Sequence, residues 1–182
     1  MNNSLNKSEI ERFSRQLVLK NIGAKGQKKI LSSKILIVGV GGLGCPAAES
    51  LVRAGIGTIG LIDNDIVNLS NIHRQSLFNS KDIKKLKVGV AAKKLKDTIQ
   101  AGIEDFDDPI KDKLSNIPSK TLHKWLEAGP NGFRRNSQRL LKLDLIVIDE
   151  MSMVDLSTIN GLLDALTKSC QIILVGDPDQ LL

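Results

Sequence analysis

Residues 34–44 read Lys-Ile-Leu-Ile-Val-Gly-Val-Gly-Gly-Leu-Gly, a continuous apolar run followed by a glycine-rich turn. An uninterrupted aliphatic run of this length is typical of a strand buried on both faces of a parallel sheet. Gly39, Gly41 and Gly44 have the G-x-G-x-x-G spacing, in which glycine allows phosphate to approach the backbone and the next helix presents free N–H groups. We therefore expect a strand over 34–38 and a phosphate-binding turn after it.

The residues that follow this turn predict a βαβ unit. Residues 43–54 favour a helix that ends at Gly55, and Thr58-Ile-Gly-Leu-Ile62 favours a second strand that ends at Asp63. An acid at this position is placed to accept hydrogen bonds from ribose hydroxyls. Spacing alone leaves NAD or FAD binding open, and a glycine turn used only for packing is the structural alternative.

Further elements are predicted on both sides of this unit. Near the start, Ser8 and Glu11 suggest a capping box. A lysine-rich helix is expected from Lys84 to Gln100, and the remaining elements are a strand over 143–148, a helix over 156–167 and a strand over 171–175. Together the four strands predict an α/β fold, a doubly wound, Rossmann-like parallel sheet with helices on both faces.

Composition narrows the functional classes. Residues 1–97 contain 17 Lys and Arg against 7 Asp and Glu, whereas residues 98–182 contain 9 against 13. The basic half could attract nucleic acid or an acidic partner, but its lysines are not interleaved with aromatic residues, so a solvated lysine face is favoured. There is no signal peptide or membrane-length apolar run, and two cysteines make no disulfide framework. We expect a cytoplasmic protein without membrane association.

Several motifs in the first half have a combination typical of one family. The motifs are Arg12-Phe-Ser-Arg-Gln16, Gly39-Val-Gly-Gly-Leu-Gly44, Asp63-Asn-Asp65, Asn68-Leu-Ser-Asn-Ile-His-Arg-Gln75 and Lys87. With these motifs the chain closely resembles, over residues 8–97, the MoeB/ThiF adenylyltransferase family, which shares its fold with ubiquitin-activating enzymes.

The resemblance implies ATP as cofactor and a role for each matching residue. Asp63 would hold the ribose, and Asn71, Arg74 and Lys87 would contact the triphosphate while a carboxylate attacks the α-phosphate. Arg15 would reach into the site of a second protomer, which would require a homodimer. The implied substrate is the C-terminus of a ubiquitin-like carrier protein. The glycines of the phosphate loop would be Gly39, Gly41, Gly42 and Gly44. Positioned cations suit this chemistry, because adenylation spreads negative charge over phosphoryl oxygens.

Each of these site residues has a structural alternative, and the chain departs from the family's pattern at several motifs. Asn71 could be a turn residue, Arg15, Arg74 and Lys87 could be surface charges, and His73 is expected to be structural. The C-x-x-C zinc pairs and the sulfur-handling cysteine of the family are missing, so no zinc site is visible. We expect Cys45 and Cys170 to be packing residues rather than nucleophiles.

The second half resembles another family. Its motifs are Thr121-Leu-His-Lys-Trp-Leu126, Gly132-Phe-Arg-Arg-Asn136, Asp149-Glu-Met-Ser-Met-Val-Asp155 and Gly176-Asp-Pro-Asp-Gln-Leu181. Over residues 92–182 they are similar to those of the alpha subunit of exonuclease V, a RecD-like superfamily-1 DNA helicase. The resemblance implies that Asp149 holds Mg²⁺, Glu150 activates water and Gln180 senses the γ-phosphate.

A phosphate-binding loop of the helicase type is missing, since G-x-x-x-x-G-K-[ST] does not occur. This half alone cannot be a working motor, and nucleic acid is a partner only through it. We interpret the chain as an apparent chimera of two partial domains, 1–97 and 98–182, from a recombinant, truncated or misassembled reading frame. If all four strands share one sheet, Asp149 would end a strand beside the glycine loop, where the adenylating family places its magnesium ligand.

Three functions follow from this interpretation. The favoured function is that of an ATP-binding adenylyltransferase-like protein. The alternatives are a RecD-like ATPase fragment and a non-catalytic nucleotide-binding module.

Overall fold

The computed structural model describes residues 4–100, 122–130, 132–149 and 155–175. Glu150, Gln180 and Thr121 lie outside these ranges. No helix in the described ranges has both the length and the apolar character needed to cross a membrane. The described helices are α1 (Lys7–Arg12), α2 (Ser14–Leu17), α3 (Gly23–Ser32), α4 (Gly44–Arg53), α5 (Lys87–Gln100), α6 (Leu122–Trp125) and α7 (Leu156–Asp164), with short 3₁₀ helices at Leu69–Asn71 and Ser80–Asp82. The described strands are β1 (Lys34–Val38), β2 (Thr58–Ile62), β3 (Ala128–Gly129), β4 (Gly132–Phe133), β5 (Leu145–Ile148) and β6 (Gln171–Leu174).

Four of these strands form one parallel sheet in the order β2-β1-β5-β6. β1 is central, and its Leu36 aligns with Gly60 of β2 on one side and with Ile146 of β5 on the other. β3 and β4 make a separate two-stranded antiparallel pair. The predicted Rossmann-like fold class is confirmed, and the strands of the two halves do share one sheet.

The core lies on both faces of this sheet, because alternate residues of β1 point to opposite sides. Ile35 and Ile37 pack in the cluster that contains Ala48 of α4 and Leu95 of α5. Leu36 and Val38 pack in the second cluster, which contains residues of the α6 and α7 regions, among them Leu126, Ile159 and Leu162. The helices of one face therefore come from the first half of the chain, and those of the other face come from the second half.

Two sequence predictions at helix starts are wrong. The first helix is capped by Asn6, which accepts the N–H of Glu9, and Glu9 in turn accepts the N–H of Asn6; Ser8 and Glu11 do not form the box. α5 begins at Lys87 and not at Lys84, since residues 84–86 pair with the loop before them. Lys84 has a left-handed φ of 68° and donates its N–H to the carbonyl of Val67.

Candidate functional site

At two positions of the glycine turn between β1 and α4, the packing leaves no room for a side chain. Gly39 has φ +91°, a region that L-residues with side chains avoid, and a Cβ there would lie 2.8 Å from Cβ of Asp149. A Cβ on Gly44 would lie 2.0 Å from the carbonyl oxygen of Gly39. These two glycines are required by the close contact between the turn, α4 and the end of β5.

The backbone N–H groups of this turn divide into two sets. The Val40 N–H donates to Oδ2 of Asp63 at 2.7 Å, and the Gly44 N–H donates to Oδ2 of Asp149 at 3.1 Å. Among the described residues, no protein acceptor takes the N–H groups of Gly41, Gly42 and Leu43. They lie at the start of the ten-residue helix α4, where the helix dipole is positive. This arrangement can bind a phosphate group.

Asp63 is held in place at the end of β2. Its Oδ2 accepts the N–H of Val40, and its Oδ1 accepts the N–H of Asp65 at 2.8 Å. A carboxylate oxygen can accept more than one hydrogen bond, so both oxygens retain capacity for a hydroxyl donor. Asp63 thus lies beside the turn with capacity for a further hydrogen bond.

Lys87 is a buried cation near the same strand end. Its side chain is 5% exposed, and its Nζ lies 3.0 Å from Oδ2 of Asp65, which is 60% exposed. The Lys87 N–H also donates to the carbonyl of Asp65 at 3.0 Å, so α5 starts against this residue. Sequence reasoning included Asp65 in a motif but gave it no role. The one sequence feature that could have indicated a role for Asp65 is its position two residues after Asp63. Its pairing with Lys87 could not be seen in the sequence, because the two residues are 22 positions apart.

Arg74 and Asn71 lie on the segment that faces the turn. A Cβ on Gly42 would meet Cδ of Arg74 at 3.5 Å, so this exposed arginine is adjacent to the glycine turn. The carbonyl of Asn71 accepts the N–H groups of Arg74 and Gln75, both at 3.2 Å, and thereby fixes the backbone at Arg74.

No contact between Arg15 and these residues is seen within the described ranges. Arg15 is exposed on α2, and it forms no ion pair with another described residue. The geometry therefore brings together Asp63, Arg74 and Lys87 around the turn.

Asp149 joins the second half of the chain to the turn. It follows β5, is 6% exposed, and its N–H donates to the carbonyl of Val38 at 2.6 Å. Among described residues no three His, Cys, Asp or Glu side chains cluster as a metal-binding set. Mg²⁺ in nucleotide sites needs only one or two carboxylates, because phosphate oxygens and water supply the other ligands. One carboxylate beside the phosphate-binding turn fits such an ion.

Cys45 and Asp155 have structural roles, in core packing and in helix capping. Cys45 is fully buried, its thiol donates to the carbonyl of Val40 at 3.4 Å, and burial raises its pKa to about 11, which argues against a nucleophile. Asp155 caps α7 by accepting the N–H and the hydroxyl of Thr158 at 2.8 and 2.6 Å, and these hydrogen bonds lower its pKa.

The lysine-rich helix α5 borders two surface depressions of about 440 and 430 Å³. Neither contains a predicted site residue. Lys94 lies in both and is paired with Asp82 at 2.5 Å, so part of the positive charge there is already neutralised. We therefore place the candidate site at the glycine turn and not at these depressions.

A parallel sheet with a glycine turn, a bonded acid and nearby cations defines a nucleotide-binding domain of the Rossmann-like class. The chain belongs to the ThiF family, whose model matches residues 13–129. A model described as AAA domain matches residues 88–182 and overlaps the first match. The resemblance of the first half to MoeB/ThiF proteins is thus confirmed. The second match covers the region of the helicase resemblance without identifying a RecD-like protein.

Curated relatives match about half of the chain. The adenylyltransferase and sulfurtransferase uba4 of Aspergillus niger is 52% identical over 89 residues, which are 49% of this chain and 18% of that protein. The adenylyltransferase and sulfurtransferase MOCS3 of Danio rerio is 56% identical over 77 residues, 42% of this chain and 17% of that protein. The chain thus spans less than a fifth of the length of these relatives.

Solved structures match nearly the whole chain. The crystal structure of PaaA has a TM-score of 0.56 at 26% identity and covers 89% of this chain and 45% of its own. The chain therefore shares its fold with this structure.

Proposed function

We propose that this chain is an ATP-binding adenylyltransferase-type protein that activates a carboxylate, the C-terminus of a ubiquitin-like sulfur-carrier protein. The observation that carries the proposal is the phosphate-binding turn, whose N–H groups at Gly41, Gly42 and Leu43 lie between two bonded acids, Asp63 and Asp149. Uba4 and MOCS3, both adenylyltransferases by name, support it.

In the proposed reaction, a carboxylate oxygen attacks the α-phosphorus of ATP. The bond from that phosphorus to the α,β-bridging oxygen breaks, and pyrophosphate leaves with the electron pair. The N–H groups of Gly41 and Gly42 hold the phosphates, and Asp63 holds the ribose. Gly39 and Gly44 allow the close packing that shapes this turn. Asn71, Arg74 and Lys87 bind the triphosphate, and the two cations stabilise charge as it develops. Arg15 acts in the site of a second protomer of a homodimer.

Magnesium has a place in this proposal through the second half of the chain. Asp149 would hold the ion, which supplies charge neutralisation to the triphosphate when it is bound. Glu150 and Gln180 lie in the region matched by the AAA domain model. Their roles, activating water and sensing the γ-phosphate, belong only to the alternative function, a RecD-like ATPase fragment. That alternative predicts ATP hydrolysis stimulated by single-stranded DNA, and the missing G-x-x-x-x-G-K-[ST] loop disfavours it.

We further propose that residues 98–182 are a partial domain joined to the partial adenylating domain 1–97. In this chimera the added segment replaces the missing strands of the adenylating sheet. The pairing of β5 with β1 and the contact of Asp149 with Gly44 support this arrangement. ATP binding without pyrophosphate exchange or DNA stimulation would instead identify a non-catalytic module.

Asp63→Asn is expected to weaken Mg·ATP binding by about 10-fold or more, because hydrogen bonds to a charged group are worth about 1.5–3 kcal/mol. The amide has one acceptor oxygen, so it cannot serve both N–H groups and the ribose. Isothermal titration calorimetry measures the change, with Asp97→Asn, an exposed site on α5, as the matched control. Unchanged affinity in Asp63→Asn would contradict the ribose-binding role.

Asp149→Ala is expected to remove the magnesium dependence of ATP binding. In the wild-type protein, ATP should bind roughly 10-fold tighter with Mg²⁺ than with EDTA, since one ligand oxygen supports an ion held mainly by phosphate. The variant should bind ATP equally in both buffers. This ratio is insensitive to general loss of folded protein, and a wild-type ratio in Asp149→Ala would count against the magnesium role.

A further inference from the structure

Asp65, in the segment after β2, contacts two residues of the candidate site. Its N–H donates to Oδ1 of Asp63 at 2.8 Å, and its carbonyl accepts the N–H of Lys87 at 3.0 Å. Its carboxylate pairs with the Lys87 ammonium, with Oδ2 at 3.0 Å from Nζ. One residue therefore connects the acid proposed to hold the ribose with a cation proposed to bind the triphosphate.

The backbone and the side chain of Asp65 do different things. Any residue other than proline can supply its two backbone contacts, so the course of the chain at position 65 does not require a carboxylate. The ion pair does require one. Because the Asp65 side chain is 60% exposed, its pair is expected to add little to the free energy of unfolding. The carboxylate therefore needs an explanation other than stability.

The ammonium of Lys87 is in the opposite environment, since its side chain is only 5% exposed. A buried charge is costly unless it is paired. Within the described ranges, Asp65 is the only acid that forms an ion pair with Lys87. A lysine side chain is a flexible four-carbon stem, so the start of α5 alone does not fix its end. The contact with Asp65 fixes where the ammonium lies.

The charge of Lys87 acts on the start of α4. Cys45 follows Gly44 in this helix, and its thiol donates to the carbonyl of Val40 at 3.4 Å. Burial is the largest influence on this thiol and raises its pKa to about 11, while the nearby charge of Lys87 lowers the pKa. Such an influence indicates that the ammonium lies close to the first turn of α4.

We propose that Asp65 is a positioning residue for adenylation, whose carboxylate holds the Lys87 ammonium beside the glycine turn. This inference rests on the proposed function, in which Lys87 stabilises the charge that develops on the triphosphate. Asp65 acts through Lys87 and contacts no substrate atom. A displacement of about 1 Å in a positioned group can slow a reaction by about 100-fold, so an exposed carboxylate can matter for rate while adding little to stability.

ATP–pyrophosphate exchange, with a ubiquitin-like sulfur-carrier protein as the carboxylate donor, tests the effect on rate. Asp65→Ala should lower kcat by about 10-fold and change the KM for ATP by less than about threefold. A displaced ammonium still attracts the triphosphate but no longer lies where charge develops. Asp65→Asn, which has nearly the same size, is the second variant should Asp65→Ala not fold, and its kcat should also fall. Asp97→Ala removes an exposed carboxylate from α5 and should match the wild type.

A double variant separates positioning from an independent role. If Asp65 acts only through Lys87, Asp65→Ala combined with Lys87→Met should be as slow as Lys87→Met alone, because the ammonium to be positioned is already gone. A double variant that is slower than Lys87→Met by a further 10-fold or so would overturn the proposal. An unchanged kcat in Asp65→Ala would overturn it as well.

Proton–nitrogen NMR of the lysine ammonium groups gives a readout that does not depend on activity. A buried, hydrogen-bonded ammonium exchanges its protons slowly enough to be detected, and the Lys87 signal is identified by its loss in Lys87→Met. This signal should disappear in Asp65→Asn and persist in Asp97→Asn. An unchanged signal in Asp65→Asn would overturn the positioning role alone. A wild type that shows the signal but no exchange would overturn the proposed function, and with it the effect on rate claimed for Asp65.

Discussion

Lys87→Met is expected to lower ATP–pyrophosphate exchange by about 100-fold or more, the usual cost of removing one positioned group that stabilises transition-state charge. Lys87 is held at the site by Asp65, and its side chain is 5% exposed, so no solvent ion can replace it easily. Methionine fills a similar volume. The remaining Asp65 carboxylate is 60% exposed and stays hydrated, so the free energy of unfolding should change by less than about 1 kcal/mol.

Lys85→Met is the matched control for this variant. Lys85 is two residues away, its side chain is 59% exposed, and it lies 3.7 Å from Asp82. Exchange should stay within about twofold of the wild type, since Lys85 is exposed and the buried Asp82 keeps its closer pair with Lys94. Lys87→Met with near-wild-type exchange would refute the catalytic role of Lys87, and exchange absent from the wild type would refute the proposed function itself.

Gly39→Ala is expected to destabilise the protein by about 3 kcal/mol or more. A left-handed φ costs a residue with a side chain about 1–2 kcal/mol, and overpacking adds about 1–3 kcal/mol. Both apply, because Gly39 has φ +91° and its Cβ would lie 2.8 Å from Cβ of Asp149. Urea unfolding followed by circular dichroism measures the change.

Two other glycines, Gly89 of α5 and Gly42 of the same turn, serve as controls for Gly39→Ala. A Cβ on Gly89 of α5 meets nothing within 4 Å, so Gly89→Ala should stabilise the helix by up to about 1 kcal/mol. A Cβ on Gly42 meets only Arg74 at 3.5 Å, an ordinary contact, so Gly42→Ala should fold. Wild-type stability in Gly39→Ala would mean that β5 does not lie against the turn.

Much of the first half could be predicted because its signals are local. The apolar runs at 34–38 and 58–62 became strands with those bounds. The start of α5 could not be predicted, since residues 84–86 suit a helix by composition but pair with the loop that begins near Ile66. The first cap was misplaced because Asn6 and Ser8 are both good cap residues.

The sequence predicted the residues of the candidate site better than it predicted the contacts between them. Asp63 and the glycines form a local pattern, and their contact at the turn follows from the βαβ connection. The contact between Asp65 and Lys87 could not be predicted, because it joins distant positions and depends on where α5 begins. Glu150 and Gln180 lie outside the described residues, and their roles stay predictions.

By itself the sequence determined the strand segments, the glycine turn and the membership of one nucleotide-binding class, because hydrophobic runs and glycine spacing act over a few residues. Only the tertiary structure decided that the second half joins the same sheet, that Asp149 lies against Gly39 and Gly44, and that β6 is last in the order of the described strands. These features depend on which strands pair. Strand pairing is set by the burial of two faces contributed by distant segments, and no single segment carries that information.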